Sequence, residues 1–159
     1  MNSEIGTPDP KYLDFFGASR DGVNRIRKWQ QAESAARAAV DDLASQFAKR
    51  SDGYLKAEVR TIDVESMLPD VVRSSRFRRD FPYEMVFFRT TGTPVQECWI
   101  CTIKLTQVGF PVFVRWDKGD MHCENASDIY EAIWTTLGNP RIGEFLLRVV
   151  PHLYPEDPE

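Results

Sequence analysis

The sequence predicts an α+β fold that consists of a long N-terminal helix, an antiparallel β-meander of about four to five strands, and a C-terminal helical pair packed on the sheet. Three observations support this fold class. Apolar residues recur at three- and four-residue steps over residues 19–49, alternate with polar residues beyond Gly53, and return to helical spacing after residue 127.

The whole chain, residues 1–159, is expected to form one domain, because its composition does not change along the sequence. Residues 1–11 and 152–159 are polar and contain prolines, so we expect them to be disordered or frayed tails.

The first element is a predicted helix from Ser19 to Lys49, with Ser19 or Asp21 as its N-cap. Asp52 and Gly53 end it. Its apolar positions are Val23, Ile26, Trp29, Ala36, Val40, Leu43 and Phe47. A helix of about 30 residues is more than twice the usual length. It is expected to pack on the sheet, and its excess length makes a homodimer through this helix the alternative.

The strands follow from alternating patterns separated by short turns. We predict strands at residues 55–60, 83–90, 97–106, 110–116 and 121–124. Such short connections favour antiparallel pairing, because parallel strands need long crossovers.

The third predicted strand carries apolar residues at consecutive positions. Strict alternation places Trp99 and Cys101 on one face and Cys98 and Ile100 on the other, so both faces of the sheet are expected to be apolar. The long helix is expected to cover one face. Either the C-terminal helices cover the other, or an apolar patch remains there as a binding surface.

Two helices end the chain. Asn125 or Ser127 is the expected N-cap of a helix over residues 128–137, which Gly138 terminates. Pro140 then begins a second helix that continues to Val149.

Composition excludes several classes of protein. With 20 basic against 24 acidic residues the formal charge is −4, which argues against a general nucleic-acid or membrane-surface binder. The first residues contain no basic region followed by an apolar run, so we expect no signal peptide, and no apolar run approaches the roughly 18 residues of a membrane span. The three cysteines are few for a disulfide scaffold. We therefore expect a cytoplasmic protein.

Cys98, Cys101, His122 and Cys123 together supply the donors of a tetrahedral zinc site. Strand geometry argues against this set, because residues three apart in a regular strand point to opposite faces, and so do the neighbours His122 and Cys123. The sequence therefore favours buried free thiols and no metal or cofactor.

The second candidate site is a basic run. Between residues 71 and 81 four arginines oppose one aspartate, a local charge of +3. Guanidinium groups suit phosphate and carboxylate, and an aromatic residue there could anchor a partner or stack on a base. The predicted binding residues are Arg73, Arg76, Phe77, Arg78 and Arg79. The alternative is a solvated basic loop.

Familiar catalytic motifs are absent from the sequence, including the nucleophile elbow, the phosphate-binding glycine loops and the zinc-protease helix. The sequence thus favours a non-enzymatic protein that binds a macromolecular partner, of the inhibitor, immunity or adaptor type. A protein is the expected partner. The alternatives are a nucleic-acid or phosphate-binding module that uses the basic run, and a small enzyme with an unrecognised site.

Overall fold

A computed structural model describes residues 14–62, 83–106 and 109–158. The elements in chain order are helix α1 (Phe15–Arg50), strands β1 (Leu55–Ile62), β2 (Tyr83–Thr90), β3 (Glu97–Thr106), β4 (Gly109–Trp116) and β5 (Gly119–Cys123), helices α2 (Ala126–Leu137) and α3 (Pro140–Val149), and a 3-10 turn (Pro151–Leu153). This order confirms the predicted α+β class. The first eleven residues, predicted to be a tail, lie outside the described ranges.

The five strands form one sheet in the order β1-β2-β3-β4-β5, and each neighbouring pair is antiparallel. The predicted meander is therefore confirmed. Every strand lies beside the strand that precedes or follows it in the sequence, which matches the short turns between β2 and β5.

Helix α1 begins earlier than predicted. Asp14, not Ser19 or Asp21, is the N-cap, and its side chain accepts a hydrogen bond of 2.8 Å from the backbone N–H of Gly17. The prediction placed the cap at the first polar residue before the periodic apolar positions. The helix instead continues N-terminally through Phe15 and Phe16, which makes it 36 residues long.

At its C-terminal end, α1 is joined to β1 through Ser51. The buried Ser51 hydroxyl donates to the carbonyl of Phe47 at 2.7 Å and accepts from the N–H of Leu55 at 2.9 Å. One side chain thus satisfies a helix C-terminus and a strand N-terminus.

Strand β3 does not alternate as predicted, because a β-bulge lies at Ile100. Phe87 of β2 pairs with Trp99 and the adjacent Val86 pairs with Cys101, so Ile100 is the extra residue. The bulge places Cys98, Ile100 and Cys101 all in the core. The prediction that Trp99 and Cys101 share a face is wrong.

All three helices pack on the same face of the sheet, which we call the inner face. The ring of Phe88 in β2 lies 4.6 Å from the ring of Phe47 in α1 and 6.5 Å from that of Phe145 in α3. Ile129 of α2 belongs to the same buried cluster. The helical pair is therefore packed on the sheet, but beside α1 and not on the opposite face.

Helix α3 has the predicted limits, whereas α2 ends at Leu137 as predicted but begins at Ala126, two residues earlier than expected. Asn125 caps α2 by accepting from the N–H of Asp128 at 3.0 Å, and Asn139 caps α3 by accepting from the N–H of Arg141 at 2.9 Å. Across the residues that the structure describes, we find no helix with the length and apolarity needed to cross a membrane.

Candidate functional site

The predicted zinc donors lie on both sides of the sheet. Cys98, Cys101 and Cys123 are buried at the inner face, whereas His122 is exposed and its ring meets that of Phe113 edge-on at 4.4 Å. The bulge removes the expected divergence of Cys98 from Cys101, but His122 and Cys123 diverge. In the described ranges no three His, Cys, Asp or Glu side chains are arranged to hold a metal ion.

The three thiols are held in their protonated form. Burial raises the pKa of Cys101 to about 12 and that of Cys123 to about 11, and it also raises the pKa of Cys98. The thiolate is the nucleophile in cysteine chemistry, so these groups are poor nucleophiles at neutral pH. They fill space in the core as small apolar side chains.

The predicted basic run, comprising Arg73, Arg76, Phe77, Arg78 and Arg79, lies outside the described residues. Strand β1 ends at Ile62 and strand β2 begins at Tyr83, on either side of this run. The role of these arginines therefore stays a prediction.

The face of the sheet opposite the helices, the outer face, combines aromatic rings with paired charges. The guanidinium of Arg60 lies 4.7 Å from the centre of the Phe87 ring and forms an ion pair with Glu97. This pair raises the pKa of Arg60 and lowers that of Glu97, mainly through their hydrogen bond. The guanidinium of Arg141, from α3, lies 5.5 Å from the Trp99 ring.

A shallow concavity of about 240 Å³ lies on the same face, lined by Thr102, Lys104, Phe113, Arg115 and Asp120. Arg115 and Asp120 form an exposed ion pair at 3.9 Å. An exposed pair of this kind contributes little to stability. The outer face is consequently a mixed, largely charge-balanced surface.

The helical side of the molecule carries the more distinctive surface. Trp134 of α2 is 77% exposed, and Tyr130, one turn earlier, is 42% exposed. They stand over a groove of about 130 Å³ between α1 and α2, whose other lining residues include Asp42, Phe47 and Leu137. We call this surface the aromatic groove.

The aromatic groove is ordered by a link between the two helices. The Tyr130 hydroxyl donates a hydrogen bond to the Asp42 carboxylate, and this bond is the main cause of the raised pKa of Tyr130. The groove continues along α1 into a second hollow of about 220 Å³, which shares Gln46 and Phe47 with the first and extends to Tyr154. The two hollows therefore adjoin at Gln46 and Phe47, and Asp42 lines the first of them.

Sequence reasoning did not single out Tyr130 and Trp134. The helical pattern of α2 was assigned from its apolar spacing, and the buried stripe Ile129, Ala132 and Ile133 accounts for that spacing. The sequence feature that could have identified them is their four-residue separation, which places two large aromatic side chains on one face of the helix beside that stripe. Neither family models, nor characterised proteins, nor solved structures show a significant similarity to this chain.

Proposed function

We propose that this protein is a non-enzymatic binding protein, of the inhibitor, immunity or adaptor type, that holds a protein partner in the aromatic groove. The observation that supports this proposal is the 77% exposure of Trp134 beside an apolar groove. Tryptophan and tyrosine are the side chains that most often dominate the binding energy of protein interfaces.

The lining of the aromatic groove defines the chemistry of the partner. Phe47 and Leu137 offer an apolar floor, and Asp42 adds a carboxylate at the rim. A partner that inserts an apolar side chain and places a cation or an N–H donor next to it would satisfy both. The three buried thiols, with their raised pKa values, also fit a binding role better than a thiol-based catalytic one.

The test is the substitution Trp134→Ala. Because Trp134 is exposed, its removal should leave the fold intact while partner affinity falls by at least about tenfold, as for a hot-spot residue. The tagged protein and the variant are used for quantitative capture from lysate of the source cells, and the retained partner is then titrated as a purified protein.

Leu147→Ala is the matched control, because Leu147 is 56% exposed on α3 and lies outside the groove lining. Wild-type affinity is expected for this variant. Equal partner affinity for Trp134→Ala and the wild type would contradict the proposal.

The rival function is nucleic-acid or phosphate binding through the basic run at residues 73–79. Nuclease treatment of half of the lysate separates the two, since a protein partner survives it. Four phosphate contacts would also give a log–log salt slope of about −3 to −4. The variant Arg76→Glu with Arg79→Glu tests whether the run steers a protein partner or binds phosphate.

A further inference from the structure

The N-terminal part of α1 is largely exposed and meets the sheet near its end, where Arg25 and Lys28 line a hollow with Phe110 of β4. Residues 15–28 are exposed at every position except the half-exposed Gly17, and the first buried residue of the helix is Ala32. At about 1.5 Å per residue this segment is roughly 21 Å long. We call residues 15–28 the arm.

The arm carries a stripe of exposed apolar side chains that do not belong to the described core cluster. Phe16 is 72% exposed, Val23 49% and Ile26 58%. With Ser19 they follow steps of three, four and three residues, which is the spacing of a seam that packs against one other helix. Phe15, at 76% exposure, lies at the N-terminal end of the stripe.

The arm is also strongly basic. Its cations are Arg20, Arg25, Arg27 and Lys28, and its single acid is Asp21, so the arm carries +3 and the remainder of the chain −7 for a total of −4. Arg20 lies four residues after Phe16, with its guanidinium 5.4 Å from the centre of that ring, and Arg27 lies four residues after Val23. Both arginines therefore flank the same side of the stripe.

We infer that the arm is a second docking site, distinct from the aromatic groove, and that it receives an amphipathic helix of a partner protein with an apolar stripe flanked by acidic side chains. Such a helix covers Phe16, Val23 and Ile26 and places its carboxylates beside Arg20 and Arg27. This is helix-to-helix recognition with electrostatic specificity at its flank.

Charge distinguishes this occupant from the other candidates. A second copy of the arm would bring +3 against +3, so arm-to-arm pairing is disfavoured. An anionic membrane or a nucleic acid would attract the arm but repel the body, which carries −7. A single partner helix contacts the arm alone and avoids both penalties.

The test uses the full-length protein and a fluorescent helical peptide of about three heptads, with leucines at the seam and glutamates beside it. A matched peptide has lysines in place of the glutamates. Fluorescence anisotropy should show binding of the acidic peptide, with an affinity at least about tenfold higher than that of the basic peptide and weakened by salt. Equal binding of both peptides, or binding of neither, overturns the inference.

Variants locate the site. Phe16→Ala with Ile26→Ala, and separately Arg20→Glu with Arg27→Glu, should each weaken acidic-peptide binding by about tenfold or more. Lys49→Glu with Arg50→Glu, at the other end of the same helix, makes the same change of charge and should have no effect. Circular dichroism establishes that each variant retains its helix content.

Two further measurements separate this site from its rivals. Binding to phosphatidylserine vesicles or to a DNA duplex without binding to the acidic peptide overturns the inference in favour of those ligands. Trp134→Ala should bind the acidic peptide as the wild type does, so that failure at the arm and failure at the aromatic groove are distinguishable.

Discussion

At Gly109 helix α1 and strand β4 approach each other closely. A Cβ placed there would lie 2.4 Å from the carbonyl oxygen of Lys28, and the residue has φ +91°. Both the backbone conformation and the approach of α1 require glycine. This contact holds Lys28, the last residue of the arm, against the sheet.

We expect Gly109→Ala to lower the free energy of unfolding by about 2–4 kcal/mol, because it combines a strained φ with a clash against backbone. Urea denaturation measures the change. Gly143→Ala in α3 is the control, since nothing lies within 4 Å of its added Cβ. That variant should gain about 0.5–1 kcal/mol from helix propensity. A decrease in the free energy of unfolding of no more than about 1 kcal/mol for Gly109→Ala would contradict this account.

The sequence alone could predict the conformation of Gly109 but not its contact with Lys28. Gly109 lies between the predicted strands at residues 97–106 and 110–116, a turn position that its positive φ fits. Its contact with Lys28 joins residues about 80 positions apart, and no local pattern encodes such a distance. Tyr130 and Trp134 illustrate the same limit, because helical spacing defines a stripe but not which neighbouring surface stays open.

At the scale of the element, β3 shows how one residue changes which side chains form the core. The bulge at Ile100 lets Cys98, Ile100 and Cys101 all contribute to the inner face, while Trp99 donates a hydrogen bond of 3.2 Å to Thr102 on the outer face. Two-residue periodicity could not predict this, because it assumes an unbroken strand.

Ile100→Ala should therefore cost about 2–5 kcal/mol, the range for truncation of a fully buried isoleucine. Trp99→Ala should cost clearly less, although it removes a larger side chain, because Trp99 remains partly exposed. Thermal and urea unfolding of the two variants provide the comparison. The reverse order would indicate that Trp99 is the core residue and that the strand is regular.

At the scale of the whole molecule, α1 has two parts that differ in burial. From Ala32 onward it supplies buried residues to the single core cluster, whereas residues 15–28 bury none. The stability of the domain should therefore depend little on the arm before Lys28, the residue that meets Gly109. The α+β architecture could be predicted from the sequence, because the spacing of apolar residues determines it. The division of α1 into an exposed and a buried part could not be predicted, because Val23 and Ile26 continue the same apolar spacing.

Two proline variants test this division. Asn24 and Ala38 are both exposed on α1, one in the arm and one above the core. Ala38→Pro should lower the free energy of unfolding by about 3 kcal/mol or more, whereas Asn24→Pro should unwind the arm with little effect on global unfolding. Far-ultraviolet circular dichroism measures the loss of helix, and urea titration measures the free energy of unfolding. Equal destabilisation by the two would show that the arm is part of the cooperative unit.

Among the strands that the structure describes, β1 and β5 are the two edges of the sheet. An edge strand with free backbone groups invites a strand from another molecule, which is a common first step of aggregation. On β1 the outer-face positions are Lys56, Glu58 and Arg60, and β5 is only five residues long. The charged side chains of β1 and the short length of β5 both disfavour the addition of a strand from another molecule. A protein with exposed tryptophan and phenylalanine side chains can thus remain dispersed instead of adding strand to strand.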